Sequence, residues 1–218
     1  MRPKNFGEWS KEEKLEYYRR ENKHSKPGQI LCAGSSLMEQ FPIEKFIEEA
    51  GEPITVYNRG IGGYVTEELL SAIDVCILDL KPSRMFINIG TNDLSNPDRS
   101  LEAVMHTYGE ILSRTEKMLP QTEIYLMAYY PINYEAAAPE MKPCLKIRTN
   151  EKINQANELV KKLAKEHDAR YIDLNAPLKD ERGNLKAEYT IEGMHIKEEG
   201  YRMIYDAFMK YATEPSWK

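Results

Sequence analysis

Short apolar runs alternate with amphipathic segments along most of the chain. The apolar runs are rich in β-branched and aromatic residues, as in buried strands, and the segments between them carry apolar residues at helical spacing. The pattern predicts strands at residues 29–33, 54–58, 84–90, 123–130 and 169–174. It predicts helices at residues 36–50, 66–80 (with Thr66 as N-cap), 100–119 and 149–167, and a last helix that begins near Lys197. Alternating strands and helices form a parallel sheet covered on both faces, so we expect an α/β fold, a three-layer α/β/α sandwich with a five-stranded parallel sheet.

The first 27 residues differ from this pattern because they are dense in charge and carry only a few aromatic residues. Ser10 followed by Glu13 is a capping-box pattern, which predicts a short helix. Lys26-Pro27-Gly28 then breaks the chain before the first strand. We therefore divide the sequence into a charged helical arm, residues 1–27, and a single α/β domain, residues 28–218. The arm is expected to lie on its own domain or on a second copy of the chain in a homo-oligomer.

Composition and charge narrow the functional classes. A hydrophobic content of 41% and a charged content of 30% are typical of a globular protein with a substantial core. The formal net charge of −5 argues against a protein held on nucleic acid by bulk charge. No apolar stretch approaches the roughly 20 residues that span a bilayer, and the charged N-terminus does not resemble a signal peptide, so we expect a cytoplasmic location. The three widely spaced cysteines offer no disulfide framework and no CxxC metal site.

The first strand ends in a glycine and two serines, at the edge of the sheet where open α/β folds bind ligands. Ser36 begins the predicted helix, where a hydroxyl points toward the site and the helix N-terminus favours a nucleophile. Ser35 is expected to turn back toward the backbone. Either serine, considered alone, is explained equally well as a helix N-cap.

Two further strand ends carry groups that can stabilise an oxyanion. Gly62-Gly63 follows the second strand, either as a tight turn or as bare backbone whose N–H approaches a developing negative charge. Asn92 follows the third strand, either as part of an Asx-turn or as a side-chain amide donor. Asp93 is expected to brace this loop rather than take part in the chemistry.

His195 is the one histidine of four that follows a strand-end loop. Glu192 precedes it by three residues, across a glycine, so its carboxylate can curl back to the imidazole Nδ1–H. That contact fixes the tautomer that leaves Nε2 free to accept a proton from a serine hydroxyl. The alternative is a surface histidine near a helix cap.

The blocks GSSL, NRGIGG, GTND and EGMH, in this order, resemble the SGNH (GDSL-type) hydrolase family over about residues 29–211. The resemblance implies a flavodoxin-like α/β/α sandwich and serine esterase chemistry without a metal or cofactor. Under this resemblance Ser36 is the nucleophile and also donates its backbone N–H to the oxyanion hole. Gly63 and Asn92 are the other two donors, and His195 is the base.

The sequence departs from the family pattern at three positions. The usual GDS is GSS here, which replaces a carboxylate by Ser35. Tyr64 follows Gly63 where the family commonly has Gly-Asp in this block, and it is expected to shape the acyl or leaving-group side of the site. The usual DxxH is ExxH, so Glu192 is one methylene longer than the usual acid. It can still reach Nδ1, as glutamate does in other serine hydrolases, and a backbone carbonyl is the alternative partner.

These features predict a serine esterase that cleaves a short-chain, acetyl-type ester of a sugar or a small alcohol. Residues 129–148 read as a long binding loop or lid, and Tyr64, Tyr130 and Tyr134 are expected to contact the substrate. Lysophospholipid and thioester substrates stay open within the same chemistry. A non-catalytic sugar- or nucleotide-binding module is the alternative class, although the sequence has no GxxxxGK[ST] phosphate loop and no GxGxxG that opens a helix. A degenerate family member that serves as an interaction module is a third reading.

Overall fold

A computed structural model describes residues 3–218 and contains a five-stranded parallel sheet. Its strands are β1 (Ile30–Gly34), β2 (Val56–Asn58), β3 (Arg84–Asn88), β4 (Glu123–Met127) and β5 (Arg170–Ile172). They are arranged in the order β2-β1-β3-β4-β5, and every neighbouring pair is parallel. This is the flavodoxin-like order, whose switch point lies between β1 and β3. The predicted fold class is confirmed.

Nine α-helices connect and flank these strands within residues 3–218. They are α1 (Lys11–Asn22), α2 (Ser36–Glu39), α3 (Ile43–Ala50), α4 (Thr66–Ser71), α5 (Ile73–Cys76), α6 (Leu101–Met118), α7 (Lys142–Ile147), α8 (Asn150–Glu166) and α9 (Glu198–Thr213). None of these helices is both long enough and apolar enough to cross a bilayer.

Two hydrophobic cores separate the sheet from its two helical layers. Successive strand residues point to opposite faces, so Leu31 and Ala33 belong to one core while Ile30 and Cys32 belong to the other. The first core lies under α1, α4, α5, α6 and α8, and the second lies under α2, α3 and α9. The sheet is therefore covered on both faces, and its two ends are left for loops.

Two of the predicted helices are interrupted. The helix expected over residues 36–50 breaks before Pro42, and the Asn58 side chain donates hydrogen bonds to the carbonyls of Met38 and Phe41 at the break. The helix expected over residues 66–80 is divided into α4, α5 and a 3-10 turn. Its N-cap is Val65, so the assignment of Thr66 to that position was wrong.

The segment at residues 129–148 is less irregular than the sequence suggested. It contains α7, which begins with Lys142-Pro143, and proline is well tolerated in the first turn of a helix because its missing N–H has no partner there. Pro131 and Pro139 precede this short helix, so the sequence around it shows no helical periodicity. The segment therefore combines an extended stretch with a short helix that can hold it in place.

The N-terminal arm packs on its own domain. Phe6 and Tyr18 are buried in the same core as the sheet residues of that face, with Trp9 and Tyr17 in contact with the Phe6 ring. The predicted capping box is present, since the Ser10 hydroxyl accepts from the Glu13 N–H and the Glu13 carboxylate accepts from the Ser10 N–H. Of the two expected placements, the arm adopts the one on its own domain, and a homo-oligomer stays a prediction.

Candidate active site

The serine corner lies at the carboxyl end of β1, beside the end of β3 and at the switch point of the sheet. Gly34 has φ +152°, and a Cβ at this position would overlap the Asn88 carbonyl oxygen of the neighbouring strand. Only glycine allows the chain to turn here, directly before the two serines. The corner is therefore fixed by the close approach of two backbones.

The two serines have different environments. Ser35 is the N-cap residue of α2 and is fully buried, and its hydroxyl has no hydrogen-bond partner among the described residues. Ser36 is the first residue inside α2, so its side chain is not needed as a cap. The Ser36 Oγ instead lies 2.9 Å from Nε2 of His195. The geometry thus favours Ser36 over Ser35 as the candidate nucleophile.

His195 lies between two of the predicted partners. Its Nε2 faces the serine hydroxyl, and its Nδ1 lies 2.6 Å from Oε1 of Glu192. The same carboxylate oxygen accepts from the His195 backbone N–H at 3.3 Å. The side chains of His195 and Glu192 are only 22% and 17% exposed, so water competes weakly with their contact. A carboxylate on Nδ1 leaves Nε2 as the acceptor, which is the tautomer that can remove a serine proton.

The loop that carries His195 is held by the segment before α7. The Gly193 carbonyl accepts from the Asn133 N–H at 2.7 Å, and the Glu192 carbonyl accepts from the Ala138 N–H at 3.2 Å. Gly193 has φ +100°, and a Cβ there would lie 2.7 Å from the Cβ of Ala137. Glycine is required between the acid and the histidine because a side chain would push the two loops apart.

The backbone N–H groups of Ser36 and Gly63 are available to a ligand. Neither the Ser36 N–H nor the Gly63 N–H donates a hydrogen bond to any residue in the range 3–218. Gly63 has φ +77°, a conformation that L side chains rarely adopt. These two groups are the backbone donors that the sequence singled out for an oxyanion hole.

The Asn92 amide is held in one orientation from both ends. Its Oδ1 accepts from Nη2 of Arg148 at 2.9 Å, and its Nδ2 donates to the Tyr64 carbonyl at 2.9 Å. Because arginine can only donate, its contact identifies the oxygen end of the amide. The second Nδ2 hydrogen has no acceptor among the described residues, so a substrate oxygen can accept it.

Arg148 also contributes to this site, although its sequence context gives no sign of such a role. Its guanidinium donates to Asn92, to the Ser95 hydroxyl at 2.8 Å and to the Met194 sulfur at 2.6 Å, and the residue is only 3% exposed. Burial lowers the pKa of Arg148, which nevertheless stays charged. Within residues 3–218 it forms no ion pair with a carboxylate. A buried cation without a paired anion raises the positive potential around the Asn92 amide.

Asp93 braces the loop after β3, as expected. Its carboxylate accepts from the Thr66 hydroxyl at 2.7 Å and from the Thr66 N–H at 3.0 Å, and Arg99 lies 3.0 Å away. Burial raises the pKa of Asp93, while the hydrogen bonds and Arg99 act in the opposite direction. This carboxylate therefore ties the start of α4 to the Asn92 loop and does not reach the serine.

The three tyrosines that were predicted to contact the substrate differ in their exposure to solvent. Tyr130 is 3% exposed and belongs to the core under α9, so the prediction that it contacts substrate was wrong. The Tyr64 ring is also buried, with Nζ of Lys11 5.5 Å from its centroid, and the residue reaches the site through its backbone carbonyl instead. Tyr134 is partly exposed beneath Lys142, and its contact with substrate stays a prediction.

Across residues 3–218 no group of three or more His, Cys, Asp or Glu side chains is arranged to hold a metal ion.

Two curated proteins are similar to this chain in sequence. The chain is 26% identical over 184 residues to the N-acylneuraminate cytidylyltransferase of Escherichia coli, which covers 84% of this chain and 40% of that protein. It is 24% identical over 172 residues to the GDSL esterase/lipase WDL1 of Oryza sativa, which covers 73% of this chain and 65% of that protein. The chain thus spans less than two thirds of the length of either relative.

Solved structures share the fold over nearly the whole chain. A Streptococcus pneumonia protein, provisionally described as a platelet activating factor, is 30% identical with a TM-score of 0.82, and the match covers 93% of this chain and 92% of that one. A GDSL-like lipase from Bacteroides thetaiotaomicron is 19% identical with a TM-score of 0.75, covering 91% and 96%. A sequence profile of the GDSL-like lipase/acylhydrolase family matches residues 42–203, from just after the serine corner to α9. The chain therefore belongs to the GDSL-like lipase/acylhydrolase family, within the SGNH hydrolases.

Proposed function

We propose that the protein is a serine esterase in which Ser36 forms an acyl-enzyme. The observation that carries this proposal is the continuous chain of contacts from Ser36 Oγ to His195 Nε2 at 2.9 Å and from His195 Nδ1 to Glu192 Oε1 at 2.6 Å. A nucleophile, a base and a group that orients the base are the three parts that acyl transfer requires. Membership of an acylhydrolase family agrees with this chemistry.

In the proposed first step the Ser36 hydroxyl attacks the ester carbonyl carbon while His195 takes up its proton. The carbonyl π electrons move onto oxygen, and a tetrahedral oxyanion forms. When this intermediate collapses, the bond to the leaving alkoxide breaks and the imidazolium returns the proton to it. Water then attacks the acyl-enzyme in the same manner, which releases the acid and restores the serine. Glu192 stabilises the imidazolium in both half-reactions without accepting its proton.

Three donors are proposed to hold the oxyanion. They are the N–H groups of Ser36 and Gly63 and the free Nδ2 hydrogen of Asn92, none of which has another acceptor among the described residues. Donors that are fixed before the reaction stabilise developing charge without reorganisation. Losing one of them typically raises the barrier by about 2.7–4 kcal/mol, which corresponds to a rate loss of about 10²–10³-fold.

The proposed substrate is a short-chain ester, of the acetyl type, on a sugar or a small alcohol. The segment beside the histidine loop presents Tyr134, Glu135 and Lys142 toward solvent, and such a mixed polar and aromatic rim suits a hydroxylated leaving group. Of the three tyrosines that the sequence suggested as substrate contacts, Tyr64 and Tyr130 are buried and Tyr134 is partly exposed. The 30% identical structure is described as a platelet activating factor. Lysophospholipid and thioester substrates stay open within the same chemistry and belong in the same test panel.

Turnover of p-nitrophenyl acetate by the wild type and by the Ser36→Ala, His195→Ala and Ser35→Ala variants tests the chemistry. We expect the first two variants to lose nearly all activity and Ser35→Ala to keep an active Ser36. Equal rates in all four proteins would overturn the proposal and leave a non-catalytic binding module as the explanation. Acetylated sugars, acyl chains of increasing length, a lysophospholipid and a thioester then rank the substrate classes by kcat/KM.

A further inference from the structure

We infer that the N-terminal helix α1 takes part in catalysis by holding the loop that carries the Gly63 N–H in its oxyanion-binding orientation. Three side chains on one face of α1 reach three positions of that loop, residues 60–63, either directly or through one carboxylate. This inference rests on the proposed serine esterase function. It assigns positioning roles to residues that lie far from Ser36 in the sequence.

Lys11, Lys14 and Tyr18 follow an i, i+3, i+7 spacing and so share one face of α1. The Tyr18 hydroxyl donates to the Gly60 carbonyl at 2.8 Å, in a fully buried position. Nζ of Lys11 donates to the Gly63 carbonyl at 3.0 Å and is itself held by Glu68 at 2.7 Å. The two ends of the loop are therefore both attached to the helix.

The middle of the loop is held through Glu39. One of its carboxylate oxygens accepts from the Gly62 N–H at 2.6 Å, and the other lies 3.0 Å from Nζ of Lys14. Glu39 is the last residue of α2, the short helix that begins with Ser36. The same carboxylate thus connects the nucleophile helix, the glycine loop and the N-terminal helix.

These attachments matter because the loop contains two consecutive glycines. A Gly-Gly peptide unit has a low barrier to reorientation, since no Cβ restricts φ on either side. If the peptide unit between Gly62 and Gly63 rotated, it would present a carbonyl oxygen, instead of an N–H, to the oxyanion. Glu39 holds the peptide unit before it and Lys11 holds the one after it, so both flanking units keep the positions from which the central unit presents its N–H.

The energetics of the Lys14–Glu39 pair support a positioning role. The two side chains are only 5% and 9% exposed, and removing both charges from water costs about as much as their attraction returns. Such a pair adds little net stability compared with two apolar side chains of the same size. The ion pair instead holds the Glu39 carboxylate in the position where one of its oxygens accepts from the Gly62 N–H.

The test compares variants of the holding residues with a control on the same helix. Lys11→Met removes the donor to the Gly63 carbonyl at a partly exposed position, which keeps the risk of unfolding low, and Lys11→Arg restores a cationic donor. Glu39→Gln removes the charge beneath Gly62 while keeping the shape of the side chain. Arg19→Met breaks only an exposed ion pair with Glu16 on α1 and serves as the matched control.

For each protein, kcat and KM are measured with p-nitrophenyl acetate, and hydrogen exchange of the Gly62 amide, which is bonded to Glu39, is followed by NMR in the intact chain. We expect Lys11→Met and Glu39→Gln to lower kcat by about 10- to 100-fold, with KM changed by less than about twofold, because a misplaced donor loses part of what a deleted one would. Exchange of the Gly62 amide accelerates, Lys11→Arg recovers most of kcat, and Arg19→Met leaves all values unchanged.

Wild-type kcat and wild-type amide exchange in folded Lys11→Met and Glu39→Gln proteins would overturn the inference while leaving the esterase proposal intact. Absence of turnover in the wild type would reject the esterase proposal instead. In that case the exchange rates still decide whether α1 holds the loop, because they do not depend on activity.

Discussion

Replacing Glu192 by glutamine tests how much of the proposed catalysis depends on the charge behind the histidine. The variant keeps the length and shape of the side chain, and it removes the negative charge that lies 2.6 Å from Nδ1 of His195. A glutamine can also turn its NH2 group toward Nδ1, which would place the ring proton on Nε2. In that tautomer the imidazole cannot accept the proton of Ser36.

The magnitude follows from the position of the pair. Charge centres roughly 4 Å apart, in a partly shielded site with an effective dielectric constant of about 20, attract each other by about 4 kcal/mol. That energy is gained when the imidazolium forms, so its loss slows the reaction by about 10³-fold. The wrong tautomer adds to this loss, and the equivalent change in a serine protease triad costs about 10⁴-fold. We therefore expect kcat to fall by about 10³- to 10⁴-fold.

The assay is steady-state hydrolysis of p-nitrophenyl acetate, with circular dichroism to confirm that the fold is kept. Glu188→Gln is the matched control, because it removes an exposed carboxylate from the same loop, and it should retain wild-type kcat. A Glu192→Gln protein that is folded and keeps kcat within about threefold of wild type would refute the reasoning. The orienting partner would then be a backbone carbonyl, or the site would not use His195 as its base.

Three further predictions concern the surroundings of the site and the stability of the sheet. Arg148→Met should lower kcat by about 10- to 100-fold with little change in KM, because the arginine orients the Asn92 amide. Arg148→Lys should recover part of the lost kcat. Equal kcat values in these two variants would contradict this. Burial acts to raise the pKa of Glu123, but hydrogen bonds from the C-terminal segment and an arginine lower it overall. Glu123 therefore contributes stability above its ordinary pKa of 4.5, and this contribution is lost as the pH falls through the lower folded-state pKa. Glu123→Gln should flatten the acid limb of the Tm–pH curve. An unchanged acid limb would contradict this. In urea unfolding, Gly34→Ala should lower the free energy of unfolding by at least about 2 kcal/mol more than Gly28→Ala does. Both glycines have positive φ, but only at position 34 would the added Cβ overlap a neighbouring strand. Equal losses of stability in the two variants would contradict this.

The fold was predictable because its signals are local. Each strand is a short apolar run, and each of the long helices has a clear apolar face, so element type and order follow from residue periodicity. The interruption between α2 and α3 was harder to predict. Pro42 gave a local hint, but the break is stabilised by the Asn58 side chain, which comes from the next strand.

The core of the candidate site was predictable for a different reason. In a parallel sheet the carboxyl ends of adjacent strands meet at one edge, so Ser36 and Asn92 are brought together by topology alone. Glu192 and His195 are neighbours in sequence, and their contact depends only on the glycine between them. These residues needed no knowledge of long-range packing.

The residues that support the site were not predictable from the sequence. Lys14 and Arg148 look like ordinary surface cations, and only the fold reveals that they are buried against partners 25 and 56 residues away. Tyr130 is likewise more buried than the sequence suggested. It follows β4, where successive side chains still alternate between the two faces of the sheet, so Tyr129 and Tyr130 enter opposite cores.

The most direct test of the central claim is covalent labelling of the intact protein with a fluorophosphonate, followed by mass spectrometry of the labelled peptide. The account predicts one modified residue, Ser36, with labelling abolished in Ser36→Ala, strongly slowed in His195→Ala and retained in Ser35→Ala. A label on Ser35, or an unmodified wild-type protein under conditions that label a control serine esterase, would contradict the assignment of Ser36 as the nucleophile.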